Sequence, residues 1–338
     1  MSYYYYLAAL PVVYFIIRKI FNGPATKLKN YDYVKGKIVV ITGSSAGIGK
    51  ETAKEMLLRG ATVIFACRDE KKTRTIINSF PEEFRKRSIF IQLDLASFES
   101  VRNFEIQFAT LNFKIDILIN NAGAFFDKYN TTKDGIESTI QCNHFSPMYL
   151  TMLLLKHMVK DSGRILNVSS DAHKFVKNLD VDSLECNLDF NTGGESYSMF
   201  RTYAYSKLAN IYLTNTLSNF FEAKNIKIKS VSIHPGAVRS EIMRPDRFLL
   251  KILSYFVYLL MLLFFKDSYM GAQTTIHLCY MDYKSIVSSG YYQNCQLSKF
   301  VNLARDDSLR KRFMEYSLKV IKNKIGEVPE EYSELVKY

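Results

Sequence analysis

The stretch that decides the fold is Thr42-Gly43-Ser44-Ser45-Ala46-Gly47-Ile48-Gly49. It follows a β-branched run, Lys37 to Ile41, and leads into a helical pattern that begins at Lys50. Glycine is required there because a side chain would block the tight turn, the approach of backbone N–H groups to a pyrophosphate and the packing of helix on strand. The stretch therefore predicts a phosphate cradle between the first strand and the first helix.

Short apolar runs alternate with helical patterns outward from this turn. The runs with strand character are Lys37 to Ile41, Thr62 to Ala66, Ile89 to Leu93, Ile115 to Ile119, Arg164 to Val168 and Ile228 to Ile233. The helical segments are Lys50 to Arg59, Tyr149 to Val159 and Tyr205 to Phe220. This alternation predicts an α/β fold of the Rossmann type, a doubly wound parallel sheet with helices on both faces. One domain is expected over residues 35–325, followed by a charged tail over 326–338.

Composition narrows the functional classes. The chain has 338 residues, is 48% hydrophobic and carries a net charge of +12. No long basic run or RNA-binding signature accompanies that charge, so no nucleic acid is expected as a partner. Spread positive charge suits an anionic cofactor and a phospholipid surface. Neither a disulfide framework nor a metal site is expected from the five scattered cysteines, which are Cys67, Cys142, Cys186, Cys279 and Cys295.

Two apolar segments indicate contact with a membrane. Residues Tyr3 to Ile17 carry no charge and are closed by basic residues, so residues 1–22 are interpreted as an uncleaved N-terminal anchor, with a buried helix as the alternative. Positive charge after the anchor predicts that the rest of the chain stays in the cytosol. The run Ile252 to Phe265 is short for a span, so residues 248–266 are interpreted as an interfacial helix or a substrate lid. A true span and a core helix are the alternatives.

Three further motifs follow the glycine-rich turn in a fixed order. Asn-Asn-Ala-Gly at 120–123 comes after the fourth strand, Tyr203 precedes Lys207 by four residues, and Pro-Gly at 235–236 follows a late strand. Together with the Gly-x-x-x-Gly-x-Gly spacing of the turn, this order resembles the short-chain dehydrogenase/reductase family. The resemblance runs motif by motif from about Lys35 to Gly236. It implies an oxidoreductase that uses a nicotinamide dinucleotide.

The end of the second strand indicates which dinucleotide is used. An acidic residue at that point receives the ribose 2′-hydroxyl of NAD, whereas a basic residue receives the 2′-phosphate of NADP. Arg68 stands there and can form a charge-assisted fork with phosphate, with Lys72 close by. Asp69 follows directly and keeps NAD as the alternative. The sequence favours NADP(H).

Other cofactor contacts are implied by the resemblance. Asp94 would hydrogen-bond the adenine amino group, with a strand-end cap as its alternative role, and Asn120 with Gly123 would shape the ribose wall. The full set of expected cofactor-binding residues is Gly43, Ser45, Gly47, Ile48, Gly49, Arg68, Asp94, Leu95, Asn120, Ala122, Gly123, Tyr203, Lys207, Pro235, Gly236, Val238 and Ser240.

The reaction itself needs a group that exchanges a proton with the substrate oxygen. Tyr203 and Lys207 share one face of a predicted helix, so the ammonium is expected to lower the pKa of the phenol. Alignment with the family places the serine that polarises the substrate carbonyl at Ser170, with Ser169 as the alternative. Asn143 matches the family asparagine that supports a water chain to the lysine. The stretch Asp171 to Arg201 is expected to be an inserted loop that shapes the substrate entrance.

Several segments resemble the microsomal retinol dehydrogenase branch of the family, which prefers NADP. They are Ala66–Asp69, Thr132–Glu137, Asn167–His173, Tyr203–Asn210 and Gly271–Thr275. The resemblance implies reduction of a hydrophobic aldehyde or ketone at the endoplasmic reticulum, or on a mitochondrial or lipid-droplet surface. Expected partners are a small lipophilic alcohol or carbonyl compound, membrane lipid and a second copy of the chain. A catalytically silent NADP-binding membrane scaffold, a sterol or fatty-carbonyl reductase and a chlorophyll-precursor reductase are the alternatives.

Overall fold

A central sheet of eight strands organises the domain. The computed structural model describes residues 12, 14, 18–26, 33–182, 197–239, 264–326 and 328–338. The strands are β1 (Ile38–Thr42), β2 (Thr62–Cys67), β3 (Ser88–Gln92), β4 (Ile117–Asn120), β5 (Arg164–Val168), β6 (Lys229–His234), β7 (Tyr291–Gln293) and β8 (Gln296–Ser298). Their order across the sheet is β3-β2-β1-β4-β5-β6-β7-β8. Strands β1 to β7 pair in parallel, and β8 pairs with β7 in the antiparallel direction.

Helices cover both faces of this sheet. They are α1 (Gly47–Leu58), α2 (Glu70–Asn78), α3 (Glu82–Arg85), α4 (Phe98–Ala109), α5 (Ser138–Ile140), α6 (Ser146–Leu154), α7 (Met199–Ala223), α8 (Ser268–Tyr280), α9 (Asp307–Ile325) and α10 (Glu330–Leu335). A five-residue π-helix, Gln141–Phe145, joins α5 to α6. The core on one face includes Phe104, Tyr212 and Phe313, and the core on the other includes Met56 and Ile276. Strands β4 and β5 are buried along their whole length, as expected for strands with helices on both sides.

The elements predicted from periodicity are present, with shifted ends. The six predicted strands are β1 to β6, and the three predicted helices are α1, α6 and α7. Helix α7 begins at Met199 instead of Tyr205, because the Ser198 side chain accepts a hydrogen bond from the backbone N–H of Arg201 and caps the helix there. Its first turn therefore lies inside the stretch that was expected to be an inserted loop. The doubly wound Rossmann-type fold is confirmed.

The chain end packs on the domain and is not a free tail. Its charged sequence predicts solvation, but α10 lies within it, and Tyr332, Leu335 and Val336 are buried in the core that also contains Phe313. The carbonyl oxygen of Tyr338 accepts a hydrogen bond of 2.7 Å from the buried guanidinium of Arg310. These contacts were missed because three apolar side chains are too few to stand out among the charges.

Little of the two apolar segments lies in the described part of the chain. The N-terminal anchor prediction falls mainly on residues 1–11, 13 and 15–17, and the prediction for residues 248–266 falls mainly on 248–263; both lie outside the described residues. Among the helices that are described, none is long and apolar enough to cross a bilayer. Residues 18–22 are helical, and the guanidinium of Arg18 donates to the carbonyl oxygen of Phe265 at 2.5 Å.

Candidate active site

The glycine-rich turn has the backbone shape of a phosphate cradle. Gly43 and Gly47 have φ angles of 68° and 54°, which disfavour any residue with a side chain. A Cβ atom on Gly43 would lie 3.1 Å from Ala122, and one on Gly49 would lie 2.5 Å from the Gly43 carbonyl oxygen. A Cβ atom on Gly47 would instead enter open space, with the Ser268 hydroxyl oxygen 4.0 Å away. Gly43 and Gly49 thus allow the turn to pack closely, and Gly47 leaves open space at the N-terminus of the helix.

The start of α1 has N–H groups that no side chain caps. Ala46 is the N-cap residue and makes no side-chain hydrogen bond, and the first turn contains no acidic residue. The first N–H groups of any helix lack acceptors within the helix and carry partial positive charge. An anionic pyrophosphate would satisfy those groups from the space above Gly47. The residues present therefore fit a dinucleotide, with Gly47, Ile48 and Gly49 nearest its phosphates.

Two residues that the sequence analysis overlooked hold the turn in place. The Thr42 hydroxyl accepts hydrogen bonds from the backbone N–H groups of Asn121 and Ala122, at 3.0 and 2.9 Å. The Asn121 side chain donates to the Thr42 carbonyl at 2.8 Å. The start of the glycine-rich stretch is thus tied to the segment after β4. The signal was available in the sequence, because Thr42 and Asn121 both belong to motifs that were quoted for their glycines.

Two charged residues after the end of β2, Arg68 and Asp69, have different roles. The Asp69 carboxylate accepts a hydrogen bond of 2.8 Å from the backbone N–H of Lys72 and caps α2. Arg68 is exposed, and its guanidinium makes no hydrogen bond to the rest of the described chain. The Asp69 carboxylate is therefore occupied by a hydrogen bond within the protein, whereas the Arg68 guanidinium remains available to a ligand.

Two expected cofactor contacts have other partners in the structure. The Asn120 amide donates to Thr151 and Asn167, at 2.9 and 2.8 Å, and is buried between β4, β5 and α6. Its side chain therefore joins the sheet to a helix, and the ribose-wall role of Asn120 stays a prediction. The Asp94 carboxylate accepts the N–H of Ala96 at 3.0 Å, which is the strand-end role given as its alternative. Leu95 is buried in the core.

Ser170, Tyr203 and Lys207 come together at the carboxyl edge of the sheet. The Ser170 side chain lies beside the Tyr203 hydroxyl and favours its ionised form. The Lys207 ammonium lies 5.4 Å from the centre of the Tyr203 ring and donates to the Val168 carbonyl at 3.0 Å. The chain therefore brings two hydroxyls and one cation to one place, from the end of β5 and one face of α7.

Neighbouring serines at the end of β5 take different partners. The Ser169 hydroxyl is buried and donates to the Lys207 carbonyl at 2.7 Å, which binds β5 to α7. The Ser170 hydroxyl accepts the N–H of Ala172 at 3.2 Å and lies beside Tyr203. Ser170 is therefore the serine that faces the reacting side of the pocket.

Burial controls the proton affinities of the pair on α7. Burial raises the pKa of Tyr203, and the hydrogen bond from Ser170 acts in the opposite direction. Burial also lowers the pKa of Lys207 to about 8. Burial is the larger influence on the phenol, and the Lys207 ammonium donates to the Val168 carbonyl. The lowering of the phenol pKa by Lys207 therefore stays a prediction. Tyr203 is held as a neutral phenol.

Asn143 is fixed on the π-helix behind the lysine. Its amide donates to the Ala124 carbonyl at 2.9 Å and to the Ser206 hydroxyl at 3.0 Å, and its oxygen accepts the Ala124 N–H at 2.7 Å. A Cβ atom on Gly123 would lie 3.4 Å from the Lys207 nitrogen and 3.6 Å from the Asn143 oxygen. Gly123, Lys207 and Asn143 therefore border the same space, in which a Cβ atom at position 123 would make ordinary van der Waals contacts. The widened π-turn places Asn143 on the side of the helix that faces Ala124.

The remaining expected residues follow the end of β6, and the aromatic wall beside Tyr203 is formed by residues that were not predicted. Gly236 has a φ of 90°, and Val238 pairs with Lys266 in an isolated parallel bridge. Ser240 is outside the described residues. On the outer wall the ring of Phe125 packs edge-to-face on Tyr203 at 5.2 Å and on Phe200 at 5.4 Å. Phe200 is 65% exposed, so the entrance beside Tyr203 is aromatic.

A family comparison explains this combination of cradle and hydroxyl pair. The model of the short chain dehydrogenase family matches residues 37–178. Retinol dehydrogenase 11 of Homo sapiens is 34% identical over 284 residues, which cover 83% of this chain and 85% of that protein. The chain belongs to the short-chain dehydrogenase/reductase family. Its similarity to curated retinol dehydrogenases places it in their branch, and it is an oxidoreductase of alcohols or carbonyl compounds.

Other proteins are similar to this chain in sequence or in fold. Short-chain dehydrogenase TIC 32 A, chloroplastic, of Brassica napus is 33% identical over 297 residues, covering 84% of this chain and 88% of that protein. A crystal structure of an uncharacterized protein from Mycobacterium Paratuberculosis has a TM-score of 0.67 and 27% identity, over 88% of this chain and 98% of that chain. A short chain dehydrogenase from Burkholderia cenocepacia in complex with NADP has a TM-score of 0.58 and 22% identity, over 77% and 96%.

Proposed function

We propose that this short-chain dehydrogenase is an NADP(H)-linked reductase of hydrophobic aldehydes or ketones, retinal-like in character. The observation that carries the proposal is that the Ser170 side chain lies beside the Tyr203 hydroxyl, next to a glycine cradle and with Lys207 buried behind the pair. The cradle fits a dinucleotide, and the hydroxyl pair fits a carbonyl oxygen that gains charge as it is reduced.

The chain's own residues perform the polar half of the reaction. When bound, the nicotinamide supplies a hydride to the carbonyl carbon. Ser170 donates its hydroxyl hydrogen to the carbonyl oxygen, since the bond from the Ala172 N–H uses only a lone pair of that hydroxyl. Tyr203 transfers its proton to the oxygen as negative charge develops there. Lys207 then lies beside the phenolate and stabilises the charge that Tyr203 acquires.

Tyr203 is a neutral phenol at neutral pH, which is the form that donates a proton in carbonyl reduction. The reverse reaction uses the same residues, with Tyr203 accepting the proton of the alcohol. The ratio of the two cofactor forms sets the net direction.

NADP is proposed over NAD because of how β2 ends. Asp69 is used as the cap of α2, and Arg68 is exposed at the position where a 2′-phosphate would lie. A structural neighbour described with NADP has the same fold. Arg68→Glu should raise the KM for NADPH more than that for NADH, and Lys71→Glu, the same charge change on the exposed start of α2, should affect the two less and equally. Equal effects of Arg68→Glu on both cofactors would remove the assignment.

The outer wall supports an apolar substrate. Phe125 contacts Tyr203, and Phe200 and Phe175 are 65% and 81% exposed near the same edge of the sheet. Exposed aromatic side chains next to a catalytic hydroxyl favour a ligand with a long apolar body. Curated relatives are named retinol dehydrogenases, which is the reason for choosing a retinal-like substrate. Sterol and fatty carbonyl compounds share that chemistry.

The decisive experiment is turnover by the full chain in detergent. With NADPH it should reduce all-trans-retinal or long-chain aldehydes, and Tyr203→Phe should lower kcat by about 1000-fold while NADPH still binds. Tyr205→Phe is the matched control, because its hydroxyl bonds to the Asn178 carbonyl outside the pocket. Turnover that survives in Tyr203→Phe would refute the assigned proton donor. A wild-type chain that binds NADPH and reduces none of these carbonyl compounds would favour a silent NADP-binding scaffold.

Membrane attachment is proposed from the contact between the ends of the two apolar segments. Ile20 and Phe21 are 69% and 45% exposed, and the Phe21 ring packs edge-to-face on Phe264 at 5.1 Å. Both segments therefore leave the domain at one place, and we propose that this place faces the endoplasmic reticulum or another organelle surface. Ile20→Ser should reduce flotation with phosphatidylcholine vesicles, and Ile106→Ser, an exposed apolar residue on α4, should not. Equal flotation of both variants would contradict the assignment.

A further inference from the structure

Two buried histidines lie on either side of the peptide group that follows the Ser170 side chain. His173 is fully buried in the 3₁₀ turn Asp171–Phe175, and His234 is the last residue of β6. No step of the proposed reaction uses either ring. Both rings nevertheless make hydrogen bonds to the backbone of the loop that presents the Ser170 hydroxyl.

His173 fixes the carbonyl end of this peptide group. Its Nδ1 atom lies 2.6 Å from the Ser170 carbonyl oxygen, and because a carbonyl only accepts, Nδ1 carries the proton. Its Nε2 atom accepts the backbone N–H of Val301 at 3.3 Å, so that nitrogen has no proton. The two bonds define one neutral tautomer. Burial lowers the pKa of His173, which keeps the ring neutral.

His234 fixes the amide end of the same peptide group. Its Nδ1 atom accepts the backbone N–H of Asp171 at 3.3 Å, so the proton of this neutral ring is on Nε2. That nitrogen lies 3.7 Å from the Asp171 carboxylate, which the Tyr291 hydroxyl holds from β7 at 2.9 Å. Burial lowers the pKa of His234 to about 4.

We propose that His173 and His234 are positioning residues that clamp the Ser170–Asp171 peptide group and thereby aim the Ser170 hydroxyl at the substrate oxygen. Each histidine takes one polar end of a single rigid peptide plane. His234 also directly precedes Pro235 and Gly236, so the clamp fixes the serine relative to the loop expected to hold the nicotinamide. The inference rests on the proposed function and adds the residues that set the geometry of its hydroxyl pair.

Asparagine and glutamine variants test the two ring nitrogens of His173 one at a time. The Asn amide nitrogen occupies the place of His Nδ1, and the Gln amide occupies the place of Nε2. His173→Asn therefore keeps the bond to Ser170 and loses the bond to Val301, whereas His173→Gln does the reverse. Since misplacing a catalytic group by about 1 Å costs about 100-fold, His173→Gln should lower kcat by about 10- to 100-fold. His173→Asn should recover most of that loss, although it loses the structural bond.

The readouts are kcat for all-trans-retinal, the NADPH dissociation constant from cofactor fluorescence, and the isotope effect with NADPH deuterated at the nicotinamide C4. We expect NADPH binding within about 2-fold of wild type in both variants, and a larger isotope effect in His173→Gln because the chemical step becomes slower. If the ring only supports the fold, the order reverses: the Asn variant loses more activity and melts earlier than the Gln variant. That order, or equal activity of both, overturns the clamp.

Two variants at position 234 test the clamp even if the variants at position 173 do not fold. His234→Asn retains an acceptor for the Asp171 N–H and should keep more activity than His234→Gln, which lacks one at that place. His157→Gln is the control for loss of a half-buried histidine, since His157 bonds to Glu105 near the amino end of β4, at the opposite edge of the sheet from Ser170. A wild-type chain without carbonyl turnover would refute the proposed function together with the clamp. Wild-type turnover with no preference for Asn over Gln at either position would refute the clamp and leave the proposed function standing.

Discussion

Replacing Lys207 should stabilise the protein while it abolishes turnover. Burial lowers the pKa of this ammonium from 10.5 to about 8. At pH 7 the folded protein must keep the charge out of water, and at about 1.4 kcal/mol for each pKa unit this costs about 3 kcal/mol. Above pH 8 the folded state binds fewer protons than the unfolded chain. The stability of the wild type should therefore rise relative to a neutral variant between about pH 8 and pH 10.5, and the cost is complete only below that range.

Methionine at position 207 removes the charge and keeps most of the volume. The Val168 carbonyl is not left without a partner, because the Asn210 amide also donates to it at 3.2 Å. The lost hydrogen bond offsets about 1 kcal/mol of the gain, so Lys207→Met should stabilise the fold by about 2 kcal/mol at pH 7. For a chain of 338 residues, whose unfolding entropy is about 0.7 kcal/mol/K, that corresponds to a Tm increase of about 3 °C.

Thermal unfolding followed by circular dichroism at two pH values tests this reasoning. Lys207→Met should melt later than wild type at pH 7, and the gap should narrow at about pH 10 as the wild-type lysine loses its proton. Lys54→Met, on the exposed face of α1, is the control and should show neither effect. A variant that melts earlier than wild type at pH 7, or a gap that stays constant with pH, would refute the argument.

Three further outcomes follow from the site and its supports. In carbonyl reduction, kcat/KM for NADPH should fall as the pH rises through about 8, where Lys207 loses its proton; a level profile to about pH 10 would contradict this. Gly47→Ala should weaken NADPH binding, measured by calorimetry, and should lower the free energy of unfolding by about 1 kcal/mol because position 47 has a left-handed backbone. In Gly49→Ala the new methyl group would contact the Gly43 carbonyl, so the free energy of unfolding should fall by about 1 to 3 kcal/mol. Asp134→Ala removes the acceptor of the Phe98 N–H at the start of α4 and should cost about 1 kcal/mol in urea unfolding; an unchanged midpoint would exclude that capping role.

The fold could be predicted from the pattern of residues, because strands, turns and helices are each specified by residues close together in the sequence. The β-branched run before Thr42 and the glycines after it define a strand, a turn and a helix within twenty residues, and repetition of that unit predicts a parallel sheet. Helix α2, by contrast, was not predicted, because its exposed charged face leaves few apolar positions to reveal a period. The chain end was misread for the same reason.

Side-chain partners could not be predicted from spacing. Asn120 lies in the expected motif but turns into the sheet, because Thr151 and Asn167 offer it hydrogen bonds there. The histidine clamp joins positions 173 and 234, which are sixty-one residues apart and meet only through the pairing of β5 with β6. The pKa of Tyr203 depends on burial, which no sequence motif states.

The short hairpin of β7 and β8 restricts how two copies of this protein could join. Strand β7 pairs with β6 on one side and with β8 on the other, so its backbone hydrogen-bonding groups are already used within one molecule. Growth of the sheet into a second chain would have to start from the three residues of β8 or from β3 at the opposite end. An intermolecular sheet of any length is therefore disfavoured at the hairpin end, and two copies that meet there would have to associate through side chains instead of strand pairing.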